Sequence, residues 1–492
     1  MVSNRLAVAL TATVTGLISV VTLPAAAAPA AGATAAGATT SRATAGGGTA
    51  PAAAFRAIRH SLWAATFHGP PGGKSQALAE AVSPDGARLF VTGSLGITAI
   101  SPSKRWATIS YGTAAGRRHW LQYYQGTDTS SDSTAAPVAV AVSPDGSTVF
   151  VTGYVTNTGG VRAEATVAYG TATGARRWVA QHIPVVRLTD VSPVAVTVSP
   201  DGSRVFVLSN DYTAQAYDTA TGNLAWSAIA TGLHGISFVY AGAMSPDGSR
   251  LFLTGSGFTP ANRKEFQTAA LDAATGATLW VQHYIKPHQS FEADALALAV
   301  AVSPDGATVY VAGQVPGTTG GDVILADNAA TGTLRWTRFP SLVPVTEAVS
   351  PDGSSVFLGG TTEVGLHNEV FDTQAREADT GALRWTHPQT SRPPTGGSRT
   401  ALRGMAVSPD GSRLVITGRV PINGVPHAMT IAYNPANGRL LWSAGFALSN
   451  QGVEGTTPAA VVVSPDSSRV FVTGLGTPAV GNWNFVTVAY RA

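Results

Sequence analysis

The sequence predicts an all-β fold, namely an eight-bladed β-propeller of four-stranded antiparallel blades. Three observations support this prediction. The tetrapeptide Ser-Pro-Asp-Gly occurs seven times, and an eighth copy ends in Ser467 instead of Gly. In a second motif, which occurs seven times, a Gly is followed four residues later by a Trp. The chain ends where a third strand should turn into a fourth, and Trp63 stands alone near the start. A repeat of about 54 residues that cannot bury its own faces must stack on its copies.

Each Ser-Pro-Asp-Gly copy lies between two apolar runs, such as residues 138–142 and 149–153, and therefore predicts a hairpin. Proline presets the first central position of the turn, Asp tolerates the second, and Gly adopts the positive φ that closes it. In the eighth copy Ser467, a residue with a side chain, must adopt this positive φ, and we expect this to lower the free energy of unfolding by about 1 kcal/mol. The turns begin at Ser83, Ser143, Ser199, Ser245, Ser303, Ser350, Ser408 and Ser464.

The Gly-to-Trp motif predicts a third strand, a tight turn and a fourth strand whose indole packs between adjacent blades. A large ring that recurs at one register is typical of a core position. Because Trp63 has no third strand of its own, we expect residues 61 to 67 to join the last three strands and close the eighth blade, which leaves no free edge. The predicted docking residues are Trp63, Trp120, Trp178, Trp226, Trp280, Trp336, Trp385 and Trp442.

The motif from Ala216 to Trp226, Ala-Tyr-Asp-Thr-Ala-Thr-Gly-x-x-x-Trp, resembles the tryptophan-docking repeat of the pyrroloquinoline-quinone-type eight-bladed propellers. The similarity covers Trp63 to Ala492. The Ser-Pro-Asp-Gly hairpin followed by Val-Phe-Val-Thr-Gly also resembles the surface-layer and lactonase-type (YVTN-like) repeats. Both resemblances imply the same fold, and neither fixes function, because propellers include enzymes, receptors and assembly scaffolds.

The first resemblance would imply a quinone held between an indole and a disulfide of adjacent cysteines, with a calcium ion bound by Glu, Asn and Asp. The chain has no cysteine, and no calcium-ligand set matches residue by residue. We therefore predict no cofactor and no quinone-dependent dehydrogenase.

The N-terminal region carries the pattern of an export signal. Arg5 precedes an apolar run from Leu6 to Leu23, and Ala26 and Ala28 fit a small-x-small cleavage site. A retained membrane anchor is the alternative interpretation of the run. We predict a signal peptide at 1–28, a disordered Ala/Gly/Thr-rich linker at 29–54, and the propeller at 55–492, secreted and monomeric with no transmembrane segment in the mature chain.

Charge and motif content argue against several function classes. The net charge of +3 comes from scattered Lys and Arg, so the basic surface typical of a nucleic-acid binder is missing. The ten His residues show no metal-ligand spacing, and His182 and His283, at related positions on fourth strands, are expected to be structural. No Gly-x-Ser-x-Gly motif indicates a Ser nucleophile. The sequence therefore predicts no metal site, no nucleic-acid partner and no identified catalytic residue.

The loops indicate which face of the propeller binds other molecules. The first and third turns of a blade share one face and are uniform, whereas the second turn and the link between blades share the other face and vary. Binding residues usually lie on variable loops over a rigid scaffold, so the variable face is the expected binding face. The charged residues of its links are either solvated or ligand contacts. They are Lys74, Asp190, His234, Glu292, Asp294, Arg399, Arg403 and Glu454.

Two further pairs are candidate ligand contacts. Glu80 and Glu347 occupy an inner-strand register that holds Val or Met in five other blades. They either line the central channel and contact a cation or ligand, or are simply solvated there. Trp106 and Trp483 lie outside the docking register beside polar residues. They either stack on a sugar or a protein partner, or fold over their own blades.

The leading functional prediction is a secreted, non-catalytic propeller that binds a protein or glycan through its variable-loop face. The alternative is an extracellular hydrolase or lyase of lactonase type with its site at the channel mouth. An enzyme should bring two or more of the channel-mouth candidates within hydrogen-bond reach of one another, whereas a binder should spread them around a rim. These candidates are Glu80, Asp190, His234, Glu292, Asp294 and Glu347.

Overall fold

The computed structural model describes residues 61–69, 73–96, 105–128, 134–183, 191–235, 237–286, 295–315, 322–363, 369–388, 400–422, 425–446, 455–479 and 482–492. Thirty-two strands within these ranges form eight four-stranded antiparallel sheets, each of which is one blade. The predicted all-β eight-bladed propeller is confirmed. The predicted signal peptide and linker lie outside the described residues.

The first four blades follow the chain in order. Blade 1 consists of β2 (Ser75–Val82), β3 (Arg88–Leu95), β4 (Arg105–Gly112) and β5 (Arg118–Tyr124). Blade 2 consists of β6 (Ala135–Val142), β7 (Thr148–Asn157), β8 (Val161–Gly170) and β9 (Arg176–His182). Blade 3 consists of β10 (Pro193–Val198), β11 (Arg204–Ser209), β12 (Thr213–Asp218) and β13 (Leu224–Ile229). Blade 4 consists of β14 (Phe238–Met244), β15 (Arg250–Phe258), β16 (Lys264–Asp272) and β17 (Thr278–Tyr284).

The other four blades complete the ring. Blade 5 consists of β18 (Leu296–Val302), β19 (Thr308–Gln314), β20 (Asp322–Asn328) and β21 (Leu334–Arg338). Blade 6 consists of β22 (Val343–Val349), β23 (Ser355–Glu363), β24 (Glu369–Glu377) and β25 (Leu383–Pro388). Blade 7 consists of β26 (Ala401–Val407), β27 (Leu414–Ile422), β28 (Val425–Tyr433) and β29 (Leu440–Phe446). Blade 8 consists of β30 (Thr456–Val463), β31 (Arg469–Ala479), β32 (Asn482–Arg491) and the N-terminal β1 (Ser61–His68).

Blade 8 closes the ring with strands from both ends of the chain. Its sheet order is β1-β32-β31-β30, and β1 pairs antiparallel with β32 so that Trp63 lies opposite Ala489. The predicted closure by residues 61 to 67 is thereby confirmed. Across the described residues we find no helix with the length and apolar character needed to cross a lipid bilayer.

The two kinds of repeated turn lie at one end of the propeller, which we call the turn end. In blade 1 the Thr113 hydroxyl, in the third turn, donates to the carbonyl of Gly86 in the Ser-Pro-Asp-Gly turn, at 2.6 Å. The equivalent bond joins Thr171 to Gly146. At the opposite end, Gly96 N–H, after strand two, donates to the carbonyl of Lys74 in the link that enters blade 1, at 2.5 Å. We call this opposite end the loop end.

The docking tryptophans join neighbouring blades near the turn end. Trp63 Nε1 donates to the Thr113 carbonyl of blade 1, and Trp120 Nε1 donates to the Thr171 carbonyl of blade 2, both at 2.8 Å. A Cβ added to Gly116 would lie 2.5 Å from the Trp63 ring, so glycine at this turn lets the indole pack against the backbone. Equivalent inter-blade bonds are made by Trp178, Trp280, Trp336 and Trp385.

Candidate functional site

A cluster of titratable side chains lies at the loop end of blade 4. His234 comes from the link between blades 3 and 4, Glu265 from the second position of β16, and His283 from near the end of β17. Their ligand atoms all lie within 4.8 Å of one another. Gln267 pairs directly with His283 across the two strands, so Glu265 reaches His283 diagonally.

One carboxylate oxygen organises this cluster. Glu265 Oε1 lies 2.9 Å from His234 Nδ1 and 2.8 Å from His283 Nδ1, and Gln267 Nε2 donates to it at 3.0 Å. The two imidazole rings are stacked, with centroids 3.8 Å apart and an interplanar angle of 17°. Glu265 is buried, whereas both histidines are partly exposed. The cluster is therefore reachable from solvent through its histidines.

Further hydrogen bonds hold the link that carries His234 in place. Gln267 Nε2 donates to the His234 carbonyl at 3.0 Å, and the Ser237 hydroxyl donates to the same carbonyl, also at 3.0 Å. His283 Nε2 lies 3.2 Å from the Gly232 carbonyl. A surface pocket of about 530 Å³ opens beside the link and is lined by Leu233, His234, Gly235, Phe258, Thr259, Pro260 and Asn262.

The sequence identified only one member of this cluster. His234 was a predicted loop candidate, whereas His283 was expected to be structural and Glu265 was not singled out. Counting back from Gly276 to Glu265, and forward from Trp280 to His283, would have shown that these two residues lie on the same face of adjacent strands. The approach of His234 depends on the path of the link, for which the repeat offers no register.

Two of the predicted contact residues come together where blades 8 and 1 meet. Lys74 Nζ lies 4.8 Å from the ring centroid of Trp483, and the two residues form an isolated parallel bridge. Lys74 is exposed and Trp483 is half-buried. Of the two extra tryptophans, Trp483 is thus the one that is partly exposed.

Trp106 does not have the position expected for a ligand contact. It is 1% exposed, its Nε1 donates to the Tyr154 carbonyl of blade 2 at 3.2 Å, and its ring packs on Gly153 of that blade. It folds onto the next blade, not over its own. Its position at the start of the third strand is filled in other blades by Tyr212, Phe266, Phe371 and Phe485, all of them buried. Trp106 therefore belongs to a second register of inter-blade packing.

The expectation that Glu80 and Glu347 line an open channel is wrong. They are 0% and 2% exposed, because side chains of the innermost strands alternate onto the flanking blades. Glu80 faces Thr473 of blade 8, and Glu347 faces Ala301 of blade 5. Burial raises the pKa of Glu80 well above its ordinary value and raises that of Glu347 to about 8. Both are therefore buried inter-blade residues, and Glu347 is mainly protonated at neutral pH.

A bulge recurs at one position of each inner strand. In blade 7 the register shifts between Leu402 and Gly404, which makes Arg403 the bulged residue. Burial, and then the nearby Arg419 charge, lower the pKa of Arg403. Its counterparts are Leu78, Val138, Val194, Tyr240, Leu298, Val345 and Ala459.

The remaining loop candidates lie outside the described residues. They are Asp190, Glu292, Asp294, Arg399 and Glu454. Among the described members of the channel-mouth set, Glu80 and Glu347 lie at different blade interfaces, and His234 contacts Glu265 instead. These described members do not meet around one pocket as the hydrolase alternative requires.

The sequence also missed a series of cation–aromatic pairs at the loop end. Each places a Lys or Arg over the face of an aromatic ring, at 3.7 to 5.9 Å from the centroid. Together with Lys74 and Trp483 these pairs occur on blades 1, 2, 4, 5 and 8. The pairs are Arg105 with Tyr123, Arg162 with Tyr154, Lys264 with Phe258, and Lys286 with Phe339.

Comparison of the sequence with known families now places the chain. Residues 105–258 and 264–483, more than two thirds of its 492 residues, match the family described as outer membrane protein assembly factor BamB, of the PQQ_2 type. The chain belongs to this family. The match confirms the resemblance to pyrroloquinoline-quinone-type repeats, while the lactonase-type resemblance of the hairpin stays a prediction. No curated protein sequence matches the chain.

Solved structures resemble this BamB-family propeller in fold. Sqt1 from Chaetomium thermophilum has a TM-score of 0.58 at 16% identity, covering 88% of this chain and 98% of Sqt1. A second Sqt1 structure, bound to the N-terminus of the ribosomal protein L10, has a TM-score of 0.57 at 16% identity, covering 87% and 98%. The Dos1 propeller has a TM-score of 0.56 at 11% identity, covering 87% and 95%. At these identities the likeness shows the fold alone.

Proposed function

We propose that this protein is a non-catalytic binding propeller whose loop end docks a protein partner. The observation that carries the proposal is the series of cation–aromatic pairs around that end. Aromatic residues and Arg are the side chains that contribute most to protein interfaces. A cation over a ring presents both apolar area and charge, so it suits a partner with acidic and apolar side chains.

Exposed apolar side chains at the same end support the proposal. Ile183 and Phe339 follow the fourth strands of blades 2 and 5, and Ile229 ends the fourth strand of blade 3. Phe238 begins the first strand of blade 4. Each is at least 37% exposed. The similar propeller Sqt1 has been solved with a peptide segment of another protein bound, and BamB is described as an assembly factor. Protein binding is thus consistent with its relatives.

Site-specific photo-crosslinking tests the proposal with matched positions. Phe339 at the loop end is 51% exposed, and Leu383 at the turn end is 52% exposed. We expect a photoreactive phenylalanine at Phe339 to give discrete protein adducts in the producing cells and their medium, and the same group at Leu383 to give none. Adducts only from Leu383, or a ladder of nonspecific adducts from both, would contradict a loop-end site. Adducts that a glycosidase removes would instead identify a glycan.

We also propose that the protein is exported and acts outside the cytoplasm. The support is the N-terminal pattern of Arg5, the apolar run from Leu6 to Leu23, and the Ala-rich stretch after it. N-terminal sequencing of the protein recovered from the culture medium should begin near residue 29. Recovery only inside cells with an intact N-terminus would contradict export.

A further inference from the structure

His283 places its two ring nitrogens against two oxygen atoms. Its Nδ1 lies 2.8 Å from a carboxylate oxygen of Glu265, and its Nε2 lies 3.2 Å from the backbone carbonyl of Gly232. A backbone carbonyl only accepts, so Nε2 is the donor of the Gly232 contact, and the tautomer with hydrogen on Nε2 leaves the Nδ1 lone pair on the side of Glu265. The ring of His283 is stacked at 3.8 Å on the ring of His234.

A metal ion between the two Nδ1 atoms and the carboxylate fits this arrangement, because the three ligand atoms lie within 4.8 Å of one another. The Nδ1 lone pairs of His234 and His283 would then bind the ion together with Glu265 Oε1. Its Nε2–H would donate to the Gly232 carbonyl, which is the usual outer contact that orients a metal-bound histidine. The Gln267 amide would orient the carboxylate in the same way, because it already donates to Glu265 Oε1.

We propose that His234, Glu265 and His283 form a binding site for a divalent first-row transition metal ion such as Zn²⁺. Two imidazole nitrogens and one carboxylate oxygen are a ligand set that these ions favour, whereas Mg²⁺ and Ca²⁺ prefer oxygen ligands alone. The site joins the link between blades 3 and 4 to two strands of blade 4. Bound metal therefore fixes that link at the loop end.

The distances are close to those that a metal ion needs. Tetrahedral Zn²⁺ with bonds of about 2.0–2.1 Å separates its ligand atoms by about 3.3 Å. The two Nδ1–Oε1 distances of 2.9 and 2.8 Å must therefore open by about half an ångström, and the two imidazole rings, whose centroids are 3.8 Å apart, must separate from their stacked arrangement. His234 lies on a link and its side chain is 37% exposed, so it can move by this amount.

The test uses tag-free full-length protein freed of metal by chelation. Titration with Co²⁺ should give one equivalent bound per chain and visible d–d absorption of a site with nitrogen and oxygen ligands, and Zn²⁺ should displace it. The chain has no cysteine, so thiolates cannot produce the signal. The melting temperature should rise with Zn²⁺ concentration.

Variants assign the site to these residues. We expect His234→Ala and Glu265→Gln to abolish stoichiometric Co²⁺ binding, and Gln267→Ala to weaken it by about 10–100-fold. His119→Ala, at an exposed histidine of blade 1, should bind as the unchanged protein does. Far-ultraviolet circular dichroism identifies any variant that has lost its fold, and His234→Ala on the half-exposed link is the variant least affected in this way.

Two outcomes would overturn the proposal. One is the absence of Co²⁺ or Zn²⁺ binding at millimolar concentration to the folded protein, which would make the cluster a hydrogen-bonded triad without a metal ion. The other is stoichiometric binding that His234→Ala and Glu265→Gln leave unchanged, which would place the ion elsewhere. Neither result bears on the cation–aromatic pairs, so the proposed partner site is tested separately.

Discussion

The carboxylates of the Ser-Pro-Asp-Gly turns and two buried carboxylates at the loop end of this propeller behave in opposite ways. At the turn end, the hydroxyl of Ser83 donates to Asp85 and lowers the pKa of that carboxyl, and each of the other seven turns also has an Asp with a lowered pKa. At the loop end, burial raises the pKa of Glu164 and of Asp322 to about 7. The turn end repeats one arrangement eight times, whereas the loop end holds groups whose surroundings differ from blade to blade.

The repeated sequence is therefore required at the turn end, whereas the sequence at the loop end can vary. Closure of the ring requires every blade to present the same turns and indoles to its neighbour, so identical contacts recur there. The loop end carries no such requirement, because its links need only connect strands. Unlike side chains can therefore accumulate at that end without opening the ring.

Matched tryptophan variants should show the largest effect. Trp178→Ala at the turn end removes a ring that packs on Phe150 and donates to the Thr219 carbonyl, so we expect a loss of about 3–5 kcal/mol in the free energy of unfolding. Trp483→Ala at the loop end removes a half-buried ring, and we expect a clearly smaller loss. Urea denaturation measures the free energy of unfolding of both variants. Equal losses would show that tryptophans at the two ends contribute equally to stability.

The buried carboxyl of Glu347 should show the next largest effect, through pH. Its pKa is about 8 in the folded protein against an ordinary value of 4.5, so the folded state binds more protons than the unfolded state in this window. The stabilising contribution of this one group is therefore fully present below pH 4.5 and is lost as the pH rises towards 8. From pH 5 to 8 we expect this group to cost about 3 kcal/mol.

Glu347→Val tests this directly, since Val occupies the same register at Val300 of the adjacent blade. The variant should lose the part of the pH dependence that Glu347 contributes, although Glu164 and Asp322, whose pKa values are about 7, still contribute in this window. It should also be more stable than the unchanged protein at pH 8. Glu347→Gln is the matched control that keeps the shape and also lacks the charge. An unchanged slope in both variants would show that another group causes the pH dependence.

The sequence predicted the fold more completely than the site, and particular residues show why. Ser-Pro-Asp-Gly and the Gly-to-Trp offset specify local geometry at fixed spacing, so the strands, both turns and the closure by Trp63 follow from counting. Trp106 was misplaced because its register shows only when aromatic residues of different types are aligned across blades. Glu80 was misplaced because alternation on an inner strand directs side chains to neighbouring blades, not to the axis.

The site depends on contacts that no repeat specifies. His234 reaches Glu265 across a link of variable length, and Lys74 reaches Trp483 of another blade from the link that enters blade 1. Such contacts are set by chain paths between blades, which a single sequence does not fix. The sequence could indicate the binding face but not which of its side chains meet there.

The eighth turn, in which Ser467 replaces Gly, gives the smallest expected effect on stability. Ser467 has a positive φ of 57°, which strains a residue with a side chain. Its hydroxyl, however, accepts a hydrogen bond from the N–H of Asp410 in the turn of blade 7, at 3.1 Å. Ser467→Ala keeps the strain and loses the bond, so it should cost about 1 kcal/mol. Ser467→Gly loses both and should stay within about 0.5 kcal/mol of the unchanged protein.

The reciprocal change at Gly411, in the equivalent position of blade 7, checks that this bond offsets the strain. Gly411 has a φ of +67°, and a Cβ there would lie 3.7 Å from Pro351 Cδ, so a small side chain fits. Gly411→Ala should cost about 1 kcal/mol. Gly411→Ser should cost less, because its hydroxyl can accept from the Asp352 N–H as Ser467 does from Asp410. Equal losses for the two variants in thermal unfolding would show that the hydroxyl contributes nothing, and that the eighth turn tolerates Ser467 at its full cost.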